Sequence, residues 1–291
     1  MVASGSALWD TATGVLLKVL EQIGRGSKVA FSLDGMSVMC LSLKGHVRIW
    51  DAFSGRLIRE VRSSVEDHRG QCLSLFSPDK AYTVSYTTTL EILDIEKGTL
   101  VKAFETHAGR VSYIVFSPNS ELLATTCEGD IRVWEVATGN MRHDLRIDDG
   151  SQTTFECTEF CQRTEVIGAV SRENIFIWSV ATGELLKRFS GGLDSMMCIT
   201  FSPISNWLVI TGVLDTNSIV QIWNSRSSEV LRTIHTDDCN LVRFSPDGRL
   251  FTFVPKPLGP ISRLFSNKPV KVWNATTGQV VATFSNYSSH L

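Results

Sequence analysis

Apolar and polar residues alternate at strand period in a series of short segments, each ending on a bulky anchor. The residues three and one places ahead of the anchor are Val47/Ile49, Leu90/Ile92, Ile131/Val133, Ile175/Ile177, Val220/Ile222 and Val270/Val272. Period two with β-branched enrichment predicts strands rather than helices. The anchors are Trp9, Trp50, Leu93, Trp134, Trp178, Trp223 and Trp273, each followed by a polar residue. Five places past the anchor stand Gly14, Gly55, Gly98, Gly139, Gly183, Ser228 and Gly278. Glycine adopts positive φ cheaply, so this position predicts a tight turn into the next strand. That outer strand is apolar two and six places past the turn residue. Four places past it stand Lys18, Arg59, Lys102, His143, Lys187 and Arg232, with Ala282 as the exception. A basic belt of this kind is expected to guard exposed strand edges against pairing with other chains.

The anchors are spaced by 41, 43, 41, 44, 45 and 50 residues. A second phrase keeps the same register: Phe31-Ser32, Phe76-Ser77-Pro78-Asp79, Phe116-Ser117-Pro118-Asn119, Phe160-Cys161, Phe201-Ser202-Pro203 and Phe244-Ser245-Pro246-Asp247-Gly248. Two motifs locked to a period in the low forties predict an all-β propeller of four-stranded blades. The expected organisation is a single propeller domain over 1–291: a partial blade over 1–22, six full repeats over 23–284, and a tail over 285–291.

On these phrases the chain resembles the WD-repeat (WD40) family over essentially its whole length. The WDTATG and FSPDG wording looks most like the repeats of fungal NACHT/WD-repeat receptor proteins, and is similar also to that of mitochondrial-division adaptors. In that family a histidine before the inner strand, a hydroxyl on the second strand, an acid in the hairpin and the tryptophan form a buried hydrogen-bonded tetrad. The resemblance assigns these places to His107, Thr125 (or Thr126), Asp130 and Trp134, with Asp130 the least secure. Such a network is rigid and closed to substrate, so it does not read as a Ser-His-Asp triad.

Charge changes the picture little. With 28 basic and 30 acidic residues the formal net charge is −2, which favours neither nucleic acid nor an anionic membrane as a partner. No apolar run is long enough to span a membrane. The amino terminus lacks a signal-peptide pattern, and the seven scattered cysteines fit reduced thiols in a cytoplasmic protein. Cys157 and Cys161 have the spacing of a weak metal pair, but no second pair or histidine accompanies them. No Walker, G-x-S-x-G, H-E-x-x-H or calcium-loop pattern occurs. Glu159 and Arg243 stand out on inner strands, and are expected to form a local pair or to reach solvent. The expectation is a non-enzymatic protein with no cofactor and no metal.

Two departures from the rhythm remain. MVASGS runs directly into ALWD, as though a hairpin and an inner strand were missing. The expectation is that residues 1–13 are the least packed part of the fold and that only the strand near 15–20 is firmly attached. Three explanations stand open: a fragment of a longer array, an imperfectly closed ring, or six blades. The last repeat also carries a proline-rich insertion, residues 255–269, between its second and third strands, and a smaller one surrounds Asp215. In the family this rim commonly grasps peptides and partner domains. Asp215, His235, Pro257, Arg263, Leu264, Phe265 and Lys268 are therefore the candidate partner-binding residues. The expected function is a protein–protein interaction scaffold or recognition module, with the sensing end of a larger receptor as one form of it. The alternatives are an adaptor in a mitochondrial-fission or ubiquitin-ligase complex and, behind it, a propeller enzyme.

Overall fold

The computed structural model describes residues 2–4, 7–9, 13, 15–20, 28–32, 34–42, 46–62, 73–86, 89–107, 109–127, 129–147, 153–163, 165–236, 241–254 and 270–284. All regular structure among them is strand. The first sheet holds β1 (Val2–Ser4), β2 (Ala7–Trp9) and β3 (Leu16–Val19). The second holds β4 (Lys28–Phe31), β5 (Ser37–Leu41), β6 (Val47–Asp51) and β7 (Leu57–Val61). The third holds β8 (Leu73–Phe76), β9 (Tyr82–Tyr86), β10 (Leu90–Asp94) and β11 (Thr99–Phe104). The fourth holds β12 (Tyr113–Phe116), β13 (Leu122–Cys127), β14 (Asp130–Glu135) and β15 (Met141–Arg146). The fifth holds β16 (Phe155–Phe160), β17 (Val166–Ser171), β18 (Asn174–Ser179) and β19 (Leu185–Ser190). The sixth holds β20 (Ser195–Phe201), β21 (Trp207–Leu214), β22 (Asn217–Asn224) and β23 (Glu229–Thr236). The last holds β24 (Leu241–Phe244), β25 (Leu250–Val254), β26 (Val270–Asn274) and β27 (Val280–Phe284). Each sheet follows chain order, so each repeat is one β-propeller blade. The chain divides into two compact units, residues 1–123 with 133–142, and residues 124–132 with 143–291.

The alternation does what the sequence predicts. Trp50, Leu93, Trp134, Trp178, Trp223 and Trp273 are all buried. In the first unit Leu8 and Leu20 pack with Val38, Cys40, Trp50 and Ala52, and Val84, Ile92, Ile114, Leu123 and Trp134 form another cluster. In the second unit Val220, Ile222, Ile234, Val242, Phe251 and Trp273 do the same. Immediately before the anchor the register slips by one residue, at Leu8/Trp9, Ile49/Trp50, Ile92/Leu93, Ile177/Trp178, Ile222/Trp223 and Val272/Trp273. The resulting bulge bends the strand into its turn.

The turn itself is closed by the polar residue after the anchor. Asp51 accepts from the N–H groups of Phe53 and Ser54, Asn224 from Arg226 and Ser227, and Asn274 from Thr276 and Thr277. The glycine that follows has φ near +70° in Gly55, Gly98, Gly139, Gly183 and Gly278, and Ser228 holds φ +59° in the same place.

One expectation is corrected at the amino terminus. The amino-terminal segment is not a strand without its hairpin: β1 pairs antiparallel with β2, Ser4 opposite Ala7, and Leu8 is 1% exposed. Attachment therefore extends well ahead of residue 15, because Leu8 is buried in one apolar cluster with Val38, Cys40, Trp50 and Ala52 of the neighbouring blade. The outer-strand residues also split. Six places past the turn residue, Leu20, Val61, Leu145 and Ile234 are buried, whereas two places past it Leu16, Leu57, Leu100, Met141, Leu185, Val230 and Val280 are all more than 40% exposed.

The basic belt is a larger correction. Its side chains do not stand out as charged guards but reach into the turn of the following blade. Lys18 Nζ donates to the Ser54 carbonyl at 2.6 Å, Arg59 to those of Ile95 and Glu96, and His143 Nε2 to that of Val180 at 2.8 Å. Lys187 donates to the Ser225 and Arg226 carbonyls, and Arg232 to those of Thr276 and Thr277. Each stem lies across the turn glycine: a Cβ at Gly55, Gly139, Gly183 or Gly278 would come within 2.3 to 2.7 Å of Lys18, Lys102, His143 or Arg232. Base and glycine are two halves of one clamp between consecutive blades.

Candidate interaction surface

The hairpin joining β21 to β22 is the site that sequence reasoning singled out and that lies among the described residues. Its strands run eight residues each, longer than those of every other sheet. Leu214 pairs with Asn217, leaving Asp215 and Thr216 as the two turn residues, at φ +48° and +70°. Left-handed backbone at both central residues suits the right-handed twist of the strands and is favoured by Asn, Asp or Gly, so Asp215 fits its place while the β-branched Thr216 is the exception. Here the turn is held from below. The Asp215 N–H donates to Asp194 Oδ2 at 2.9 Å, and Asn217 Nδ2 donates to the Asp215 carbonyl at 3.2 Å.

Asp194 itself is anchored by its N–H to the Val213 carbonyl. It was not legible as a site residue, because it sits in an interblade loop without a motif. His235 lies on β23 opposite Ile219, exposed and towards the same end of the sheet. Asp194, Asp215 and Asn217 are exposed as well, so this rim presents two carboxylates and an imidazole on a stiff support. Pro257, Arg263, Leu264, Phe265 and Lys268 lie outside the described residues.

The tetrad candidates are distributed as follows. Thr125 is fully buried on β13, Trp134 is buried on β14, and His107 is half-buried ahead of β12. Asp130 opens β14 and joins an ion-pair network with Arg132 Nε at 3.3 Å and Arg146 Nη2 at 3.7 Å, which Asp144 completes. Nearby, Thr126 and Thr158 share a buried hydroxyl hydrogen bond of 2.9 Å between adjacent blades.

The inner strands of the second unit gather the remaining polar chemistry. Glu159, Thr200 and Arg243 occupy the same repeat position, one place before the inner-strand phenylalanine. Thr200 Oγ1 donates to Glu159 Oε1 at 2.9 Å, and Arg243 Nη1 lies 3.5 Å from Oε2. Burial pushes the Glu159 carboxyl up, against the opposing pull of Arg243 and Thr200. The expected local pair is thus present, though long. Cys157 lies beside Cys198 of the next inner strand, with Sγ atoms 3.6 Å apart, rather than with Cys161. The hydrogen bond from Cys157, and then burial, push the Cys198 thiol well up, which keeps it protonated. Both are free thiols, as are Cys40, Cys127 and Cys161.

Residues 98–135 match the family model described as WD domain, G-beta repeat. That repeat is of the WD40 type. Residues 166–286 also match the model described as eukaryotic translation initiation factor eIF2A. Transducin beta-like protein 3 of Bos taurus is 25% identical over 237 residues, covering 80% of this chain and 29% of that protein. Apoptotic protease-activating factor 1 of Homo sapiens is 27% identical over 187 residues, covering 60% and 13%. The guanine nucleotide-binding protein subunit beta of Zea mays is 26% identical over 208 residues, covering 65% and 54%. The chain thus spans less than two thirds of the length of each.

Proposed function

We propose that this WD40 chain is a non-enzymatic recognition module that holds a protein or peptide partner on the rim built by Asp194, Asp215, Asn217 and His235. The observation that carries this reading is the β21–β22 hairpin. Its two strands are the longest paired strands among the described residues, and the β-branched Thr216 holds a left-handed backbone that its side chain disfavours. A strained turn retained and braced by Asp194 fits a surface selected for shape rather than for stability. The module is read as part of a larger receptor or assembly. In support, a similar protein of Acanthamoeba polyphaga mimivirus is named a BTB/POZ domain and WD-repeat protein, and the Zea mays relative is named a subunit. The free cysteines fit a reducing, cytoplasmic setting.

The test is a pull-down with the intact chain, scored by mass spectrometry, against the double variant Asp215→Lys with His235→Glu. Both positions are exposed, so the variant is expected to melt like the parent and to lose the partners that the parent retains. A folded variant that keeps every partner overturns the reading.

A further inference from the structure

On the other rim, where the anchor turns and the FSP turns lie, the fifth and sixth sheets enclose a cavity of about 290 Å³ lined by Val166, Ile177, Leu186, Phe201, Asn206 and Arg226, together with Lys187 and Ser225. Its floor is apolar for a structural reason. Gly168 carries no side chain, and a Cβ there would lie 2.7 Å from the Phe201 ring and 2.9 Å from Ile199. The Phe201 ring therefore sinks against β17, leaving an open slot above it between Val166, Ile177 and Leu186. Leu186 remains 53% exposed at the mouth.

The rest of the lining sets the charge. Lys187 grips the Ser225 and Arg226 carbonyls and fixes the turn from which Arg226 projects. The Arg226 side chain is exposed and has no ion-pair partner among the described residues. Among the described residues no acid lines the cavity. The repeats provide an internal comparison. At the place of Arg226 the other blades carry Phe53, Glu96, Ala137, Ala181 and Thr276, and at the place of Asn206 they carry Met36, Ala81, Glu121, Glu165 and Arg249. The fold therefore does not require arginine or asparagine here. In three neighbouring repeats one of the two places is a carboxylate, which this notch lacks.

We infer that this notch is a second binding site, distinct from the hairpin rim, for an extended peptide that inserts an apolar side chain over Phe201 and sets a following carboxylate beside Arg226 and Lys187. The volume sits at the lower end of small-molecule pockets and suits one or two side chains of a peptide rather than a cofactor. An apolar anchor gives affinity through burial, while the two cations select acidic sequences and reject basic ones. The preformed, clamped walls reduce the ordering cost of binding. The inference rests on the interaction-module reading only in that the ligand is a peptide.

The experiment uses the full chain and two fluorescein-labelled nonapeptides, one with a leucine–phenylalanine pair followed by two glutamates, the other with lysines in place of the glutamates. Anisotropy titration is expected to give saturable binding of the acidic peptide and none of the basic one. Leu186→Asp and Arg226→Glu are each expected to weaken binding at least tenfold without lowering the melting temperature, while Leu231→Asp, the equivalent place one blade on, leaves affinity unchanged. In the unaltered protein the methyl resonances of Ile177 and Leu186 are expected to shift on titration, which tests the site even where a variant misfolds. The proposal is overturned by equal binding of both peptides, by no saturable binding, by unmoved methyl resonances, or by a loss at Leu231→Asp matching that at Leu186→Asp. The hairpin reading survives all four, since its variants lie on the opposite rim.

Discussion

A single serine shows how the repeat tolerates deviation. Ser228 occupies the turn-glycine place at φ +59°, where an L side chain costs on the order of 1 kcal/mol. Ser228→Gly is therefore expected to stabilise the protein by about 0.5 kcal/mol, after allowing for the greater freedom of unfolded glycine. Urea unfolding measures it, and a destabilised variant would show that the Lys187 Nζ to Ser228 Oγ contact at 3.4 Å matters more.

The FSPD phrase has an equally local explanation. In Ser32–Asp34, Ser77–Asp79 and Ser245–Asp247 the hydroxyl donates to the carboxylate, which also accepts an N–H from Met36, Ala81 or Arg249. The Ser32 hydroxyl holds Asp34 below its usual range, as the Ser245 hydroxyl does for Asp247. At Asp79 burial opposes the shift, and the Ser77 hydroxyl with the Ala81 N–H outweighs it. Because these folded-state values are depressed, the stabilisation is present above the unfolded value of 3.8 and is lost as pH falls through the folded one. Melting temperatures between pH 7 and 2.5 are expected to fall less steeply below pH 4 for Asp79→Asn with Asp247→Asn than for the parent. Parallel curves would rule the carboxylates out as the acid-sensitive groups.

At the scale of the element, the interblade clamp makes the strongest claim. Arg232 reaches two carbonyls of the next blade through both Nη atoms while its stem covers Gly278. Arg232→Met keeps the stem and removes the donors, so the expected loss is about 1 kcal/mol, below the roughly 1.5–3 kcal/mol of hydrogen bonds to charged groups because the site is exposed. A change within error would return the belt to the role of an edge guard. The long hairpin has its own weak point at Gly212, where a Cβ would lie 2.3 Å from the Ser195 carbonyl oxygen. Backbone cannot yield as a flexible side chain can, so Gly212→Ala is expected to cost more than about 2 kcal/mol and to shift the Asp194–Asp215 contact. Denaturant midpoints measure the first effect, and loss of rim partners the second.

Across the whole chain, stability is not expected to be uniform. β21 and β22 pair over eight residues with mostly buried interiors, whereas β3 offers four residues, three of them exposed, and borders a sheet of three strands. Regions with few buried apolar contacts open first. Native-state hydrogen exchange is expected to be slowest at residues 208–211 and 219–223, and fastest among the strands at residues 16–19. Equal protection in both places would mean that the first sheet is completed by some other strand.

The sequence by itself determined the repeat, the blade boundaries, the anchors and the turn positions, because alternation, a bulky anchor and a positive-φ glycine are properties of adjacent residues. It put Glu159 and Arg243 at the same repeat position but left open whether they pair or reach solvent, and only the structure sets Arg243 Nη1 3.5 Å from Glu159 Oε2. What it could not determine were distances between blades. Lys18, Lys187 and Arg232 looked like surface charge because their acceptors are carbonyls 36 to 45 positions away, and a carbonyl has no sequence signature. Asp194 was missed for the same reason: its value as a brace comes from lying beneath the Asp215 N–H, 21 positions on. The Phe201 ring below the slot lies where a Cβ at Gly168, on another strand, would come within 2.7 Å of it, a closeness that no neighbouring residue announces. A chain pattern specifies which face is apolar, but only packing decides where two such faces fail to meet and leave room for a partner.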